Sequence, residues 1–309
     1  MRDIKRSIYI ALILSFGIFL VAVLADSDPL KIFSHLVREG VLFFWIALAA
    51  ALVIAQGKID ISYFGQIPFY GMSMLVLQNF DVEFVNSLLV LTLLTIMIAL
   101  IQWALVCRLP GWSLIISLSV GFTLSGICIA TSNLFFYQGG IASTIHPDWV
   151  SSWRELAPYL PMIPLLIVVW LLTTLDGLRF LAVGENSVAA NYLKLSKPKY
   201  LFLAYIMSGV LAGVGSLELI INFSSGGWSP KIGAGQELLA VAAVVVSGGS
   251  LRGGRLNAIS LLMSCLLIVG SRTAANRIGG DPELFLLLMG TGLAIVVVLE
   301  ALKGTEVKR

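Results

Sequence analysis

The sequence predicts an all-α, polytopic membrane protein with about ten transmembrane helices and with both termini in the cytoplasm. Three observations predict this class: 58% of the 309 residues are hydrophobic, only 12% are charged, and the mean hydropathy is +0.96. A soluble domain carries about 25% charged residues. With half of that share, polar residues cannot cover a soluble globule, so lipid is the expected solvent.

Long apolar runs supply the spans, because a helix needs about 20 apolar residues to cross a membrane. Seven runs are clear, at 7–24, 36–55, 84–106, 112–131, 159–175, 200–221 and 284–302. Three are weaker, at 61–77, 238–246 and 257–270. The first run is too long for the roughly 7–15 apolar residues of a cleaved signal core, so we interpret it as a helix. We expect one membrane domain over residues 1–309.

Lys and Arg predict the orientation, because they concentrate in cytoplasmic loops. With ten spans and the N-terminus inside, roughly twice as many fall inside as outside, and Lys58 stays at membrane depth. The segment 132–158 is then a periplasmic loop and 176–199 a cytoplasmic loop. Trp149 and Trp153, four residues apart in the outer loop, predict either a helix lying on the membrane surface or a lid packed on the bundle.

Residue types that carry catalysis or bind metals and nucleic acids are scarce. The three cysteines, Cys107, Cys128 and Cys265, form no C-x-x-C pair, so neither a disulfide framework nor a metal site is expected. His35 and His146 fall in separate outer loops, and no phosphate-binding or nucleophile motif occurs. A net charge of +3 without a basic cluster gives no sign of nucleic-acid binding. The sequence therefore favours a transport protein driven by a separate motor over an enzyme.

Two irregular segments contain the residues that we expect near a solute path, since irregular backbone at membrane depth survives only where protein or water covers it. Segment 56–62 places Lys58 and Asp60 between two apolar runs. The two charges could pair, Asp60 could cap the next helix, or they could contact solute. Segment 224–237 leads into a short apolar run and could cap that helix or gate the outer mouth. The candidate path residues are Gln56, Asp60, Tyr63, Gln66 and Glu237.

Two further segments are expected on the cytoplasmic side. After residue 184, Ser187 can cap a short helix that runs to about Leu195 and presents Val188, Tyr192 and Leu195 on one face, towards lipid or a partner. The run 238–246 is half of a span and ends in a glycine-rich turn, which predicts either a tight turn between packed helices or a re-entrant element. Its structural glycines are Gly248, Gly249, Gly253 and Gly254.

Four motifs resemble those of permease subunits of ribose-type sugar importers of the ATP-binding-cassette (ABC) class, a group shared with branched-chain amino acid permeases. Residues 57–62 (GKIDIS) are similar to the family's G-G-I-D-L-S, and residues 184–190 (GENSVAA) to its G-x-N-x-x-A-A. Residues 208–213 (SGVLAG) match S-G-x-L-A-G. Residues 237–243 and 248–254 resemble E-L-x-A-I-A-A followed by G-G-x-S-x-x-G-G. This chain departs from the family's pattern at three places. Lys58 stands where the family has Gly, residues 63–65 (YFG) replace a small V-G, and Lys194-Leu195 replaces Gly-Ile.

The resemblance implies a permease in the bacterial inner membrane that works with a second permease subunit, cytoplasmic ATPase subunits and a periplasmic solute-binding protein. ATP and Mg would bind the ATPase, which leaves this chain without a cofactor or a metal. The solute would be a small polar molecule, above all a simple sugar. A branched-chain amino acid or nucleoside permease and, in another class, a self-powered secondary transporter remain alternatives. A homodimer and a heterodimer are both open, and the departures suit a heterodimer.

The resemblance also assigns the helix that couples this chain to the ATPase. It would comprise Gly184, Glu185, Asn186, Ser187, Val188, Ala189, Ala190, Tyr192 and Leu193. We expect Tyr192→Asp and Ala190→Asp to uncouple ATP hydrolysis from uptake while the fold stays intact.

Overall fold

The computed structural model describes residues 29–137, 144–157, 159–223 and 227–277. In these residues the chain is helical, and one isolated bridge pairs Thr144 with Gly227. A π-helical segment, Ser132–Tyr137, extends the fourth helix. The α-helices are α1 (Pro29–Ala55), α2 (Tyr63–Asn79), α3 (Phe84–Arg108), α4 (Ser113–Thr131), α5 (Pro147–Leu156), α6 (Met162–Thr173), α7 (Leu175–Glu185), α8 (Ser187–Tyr192), α9 (Lys197–Phe223), α10 (Gln236–Val246) and α11 (Ala258–Arg277).

The predicted all-helical, multi-pass class is confirmed. Within the described part of the chain, four helices (α1, α3, α4 and α9) are long and apolar enough to cross a membrane, or five if the bent pair α6–α7 is one span. The predicted spans at 7–24 and 284–302, and both termini, lie outside the described residues. The count of ten spans and the cytoplasmic termini therefore stay predictions.

Helices α1 and α9 form the centre of the bundle. In each, 78% of the most apolar window is buried, against 28% in α3 and α4. Helix α1 packs on α9, α10 and α11, and α9 also packs on α2 and α3. Residues 46–55 of α1 are at most 1% exposed, as expected of a helix that is apolar on every side. The outer faces of α3 and α4 stay apolar and exposed, which suits contact with lipid.

The predicted span 159–175 is broken near its end. Helix α6 stops at Thr173, and α7 leaves at an angle of 79°. Thr174 has an extended backbone, and its hydroxyl caps α7 by accepting from the Gly177 amide at 3.0 Å. Segment 176–199, predicted as a loop around one helix, therefore contains α7, α8 and the first residues of α9.

The bundle has two opposite ends. The base is the end where α1, α3 and α7 stop and where α2, α4 and α9 begin. The opposite end is covered by α5, and here Trp153 is 2% exposed among Met72, Leu75 and other apolar side chains. Gln78 anchors the same segment by accepting from the His146 amide at 2.7 Å. Of the two interpretations of the tryptophan pair, the packed lid is the one that the structure shows.

Candidate functional site

Three of the motif segments meet at the base, backbone against backbone. The Gly254 amide donates to the Ala55 carbonyl at 2.8 Å. A Cβ atom added to Gly184 would lie 1.8 Å from the same carbonyl oxygen, and one added to Gly253 would lie 2.5 Å from the Gly184 carbonyl. No side chain fits at such distances. One tightly joined unit therefore forms from three segments: the turn after α1, the end of α7 and the turn between α10 and α11. We call residues 55–58, 184–185 and 252–254 the glycine junction.

Helix α8 projects directly from this junction. Its cap is Asn186, whose Oδ1 accepts from the Val188 amide at 3.1 Å and from the Ala189 amide at 3.0 Å. The predicted cap, Ser187, is therefore wrong; Ser187 is the first residue of the helix.

The end of α8 also differs from the prediction. The helix stops at Tyr192, and Lys194 takes the left-handed conformation with φ of 56°. The Leu195 amide donates back to the Ala190 carbonyl at 3.0 Å, which closes a Schellman motif. Leu195 thus lies beyond the helix and packs on the core, so the predicted face that included it is wrong.

The exposed residues of α8, with those that directly flank it, make an apolar knob at the base. Val188, Tyr192 and Leu193 are 67%, 86% and 72% exposed. Glu185, Asn186 and Ala189 are also exposed, and Ser187 is half-buried. Apolar side chains that project together from a bundle end mark a binding surface.

Ala190 does not belong to this surface. It is 3% exposed and lies in the main hydrophobic core. An aspartate there would carry a charge into the core, so Ala190→Asp tests folding and is not a test of partner contact. This corrects the expectation that the variant would leave the fold intact.

A buried polar cluster lies just inside the base, where the 56–62 segment meets α2 and α3. Asp60 Oδ1 accepts from the Ser62 amide at 2.9 Å, from the Ser62 hydroxyl at 2.6 Å and from Gln102 Nε2 at 3.3 Å. Gln66 Nε2 donates to Ser62 Oγ, and the Tyr70 hydroxyl donates to Gln66 Oε1 at 3.3 Å. All five side chains are at most 3% exposed, so the cluster belongs to the interior of this chain.

The geometry separates the interpretations of segment 56–62. Asp60 stabilises the turn that enters α2, since it accepts from the Ser62 amide directly before Tyr63 starts the helix. Lys58 does not pair with Asp60; its ammonium donates to the Pro110 carbonyl in the turn between α3 and α4. Lys58 therefore lies at the base and not at the membrane depth that was predicted for it. Burial first, and the charge of Lys197 second, lower the pKa of the Lys58 ammonium.

The predicted path residues occupy three separate places. Asp60, Tyr63 and Gln66 lie together, and the Tyr63 hydroxyl also hydrogen-bonds Ser208 of α9 at 2.9 Å. Gln56 is instead part of the base, where its Nε2 donates to the Phe180 carbonyl at 2.8 Å.

Glu237 lies far from that cluster, in the first turn of α10. A carboxylate in the first turn is favoured by the helix dipole, and Glu237 Oε2 is buried without a hydrogen-bond partner among the described residues. The glycine turn follows at the other end of α10: Gly248 and Gly249 close the helix, and Gly253 and Gly254 enter the junction.

Sequence reasoning missed Gln102, Tyr70 and Ser208. Gln102 had a usable signal, because an amide inside a long apolar run must find a partner within the protein. Tyr70 had none, since tyrosine is common in helices of this kind. Ser208 stands first in the 208–213 motif, but nothing in the sequence linked it to Tyr63.

These features define a class: an apolar multi-pass membrane protein with a buried polar cluster and an exposed apolar knob held on a rigid base. The chain belongs to the family described as the permease component of branched-chain amino acid transport systems, whose model matches residues 32–298. It is a transport subunit and not an enzyme.

Named relatives agree with this membership. The chain is 25% identical over 261 residues to the autoinducer 2 import system permease protein LsrD of Photorhabdus temperata, covering 82% of this chain and 78% of the relative. It is 26% identical over 266 residues to the L-arabinose ABC transporter permease protein AraH of Azospirillum brasilense, covering 82% and 75%. The galactofuranose transporter permease protein YtfT of Escherichia coli (strain K12) is 30% identical over 170 residues, covering 53% and 50%. No solved structure matches the chain.

Proposed function

We propose that this chain is the permease subunit of a binding-protein-dependent ABC importer and forms the path of a small polar solute, above all a simple sugar, across the bacterial inner membrane. The observation that carries the proposal is the exposed knob of α8 fixed to the glycine junction. A rigidly mounted apolar projection suits a motor that pushes from outside this chain. The family membership supports the transport role.

The placement of basic residues supports a cytoplasmic base, because Lys and Arg collect in cytoplasmic loops. The base holds Lys58, Arg108, Arg179, Lys194, Lys197, Lys199, Arg252 and Arg255, whereas the opposite end holds Lys31, Arg38, Arg154, Lys231, Arg272 and Arg277. In this orientation, residues 176–199 with α8 face the ATPase subunits, and residues 132–158 with the α5 lid face a periplasmic solute-binding protein. Both segments are parts of one transmembrane domain, residues 1–309.

A sugar is favoured as the solute because two of the relatives are named for L-arabinose and galactofuranose. The family's own description favours a branched-chain amino acid as the second candidate. ATP and its Mg ion would bind the ATPase subunits. A second permease subunit, either identical or related, would complete the path.

Uptake into proteoliposomes tests the proposal. The intact complex with its binding protein and internal ATP should accumulate one labelled solute from a panel of simple sugars, nucleosides and branched-chain amino acids. Vesicles that contain the permease without the ATPase should accumulate none. ATP-independent uptake by this chain alone would contradict the proposal and support a self-powered carrier.

A further inference from the structure

Three basic residues lie at one side of the base, where the turn between α3 and α4 meets segment 56–62 and the start of α9. Lys58 donates to the Pro110 carbonyl of that turn, and Arg108 ends α3 two residues earlier. Lys197 lies close enough to Lys58 for the two charges to repel. We call Lys58, Arg108 and Lys197 the basic cluster.

The basic cluster has no carboxylate partner among the residues that the structure describes. The nearest candidate acid in sequence, Asp60, is bonded to Ser62 and Gln102. Asp176 pairs with Arg179 at 3.1 Å. Like charges held together without a counter-charge destabilise a fold unless an anion joins them, and the buried Lys58 ammonium still has unused donors.

The surroundings of the cluster fit a lipid better than a free ion. Ile101, Leu105 and Arg108 stand at i, i+4 and i+7 on α3, so the guanidinium lies above an apolar strip on one helix face. Ile101 and Leu105 are both exposed. Trp103 donates from Nε1 to the Pro198 carbonyl at 3.1 Å, and Trp112 is exposed in the turn. Tryptophans at this level mark the boundary between lipid tails and head groups.

We infer that the basic cluster binds the phosphate of an anionic phospholipid whose acyl chains lie along the exposed face of α3. The head group supplies the missing counter-charge to Lys58, Arg108 and Lys197, while Ile101 and Leu105 contact the tails. Lys58 stands where the resembled family has Gly, so the inner part of the site is a property of this chain. The site is independent of α8 and of the identity of the solute.

Binding of phosphatidylglycerol to the purified complex tests the inference. In detergent, added phosphatidylglycerol should raise the melting temperature of the wild-type complex, and phosphatidylcholine should not. The double variant Arg108→Gln/Lys197→Gln should bind phosphatidylglycerol about 30-fold more weakly, since each basic side chain near an anionic surface contributes roughly a factor of five. The control Lys194→Gln/Arg255→Gln removes two exposed basic residues from another part of the base and should bind as the wild type does.

Three results would overturn the inference. Equal binding of phosphatidylglycerol by the double variant and the control would show that the cluster does not hold the lipid. An equal shift from glycerol phosphate, which has the head group without acyl chains, would show a simple anion site. Loss of the ATPase from the double variant with unchanged lipid binding would assign the cluster to the protein partner instead.

Discussion

Replacing Gly184 with alanine is expected to loosen the glycine junction. The new Cβ would lie 1.8 Å from the Ala55 carbonyl oxygen, and an ordinary contact needs at least 3.4 Å. The end of α7 and the end of α1 must therefore move apart by about 1.6 Å. Overpacking of this kind lowers the free energy of unfolding by about 1–3 kcal/mol. The same movement takes the Ala55 carbonyl away from the Gly254 amide, now at 2.8 Å, and an unpaired buried group costs a further ~1–3 kcal/mol.

The assay is thermal unfolding of the purified complex followed by tryptophan fluorescence, together with the ratio of solute transported to ATP hydrolysed. Gly184→Ala should lower the melting temperature by several degrees and reduce that ratio. Gly126→Ala is the matched control, because a Cβ there meets nothing within 4 Å and alanine favours a helix over glycine by about 1 kcal/mol. Equal melting temperatures and equal coupling in Gly184→Ala and the wild type would refute the reasoning from close backbone contact.

Three further substitutions test local features. Lys194→Gly should raise the stability by about 1 kcal/mol in thermal unfolding, because Lys194 holds a φ of 56° that costs a side-chain-bearing residue about that much; a loss of stability would contradict the Schellman assignment. Gln102→Leu should destabilise the protein by about 1–3 kcal/mol in the same measurement, since it removes donors to Asp60 and Ser62 within a buried cluster, and an unchanged melting temperature would count against that cluster. Trp153→Ala should free the α5 lid at a cost of about 3–5 kcal/mol, seen as faster proteolysis in segment 144–157, whereas unchanged proteolysis would show that the lid does not depend on this side chain.

The sequence predicts most of the helices because apolar run length is a local property. Helices α3, α4 and α9 begin and end within a few residues of their predicted bounds. The break at Thr174 was missed, since a run of apolar residues looks the same whether it continues straight or turns by 79°. The turn depends on the fit of Gly177 against the Trp170 and Leu171 carbonyls, which a one-dimensional pattern does not contain.

In the candidate sites, too, the sequence predicts local features but not those that depend on tertiary packing. The position of α8 follows from the motif, but the burial of Ala190 depends on how the short helix lies against the core. A pair between Lys58 and Asp60 was one of three alternatives left open by the sequence, whereas the structure bonds Lys58 to a carbonyl 52 residues away. The meeting of Gly184, Gly253 and Ala55 is likewise a product of tertiary packing, although each glycine had already been singled out on its own segment.

Co-purification of the ATPase subunit with Tyr192→Asp permease tests the central claim most directly. Tyr192 is 86% exposed at the tip of α8, and Tyr159, which is 71% exposed near the opposite end, supplies the matched control Tyr159→Asp. Tyr192→Asp is expected to fold and reach the membrane but to lose the ATPase, while Tyr159→Asp should retain it. Full retention of the ATPase and normal uptake by Tyr192→Asp would contradict the docking role of α8.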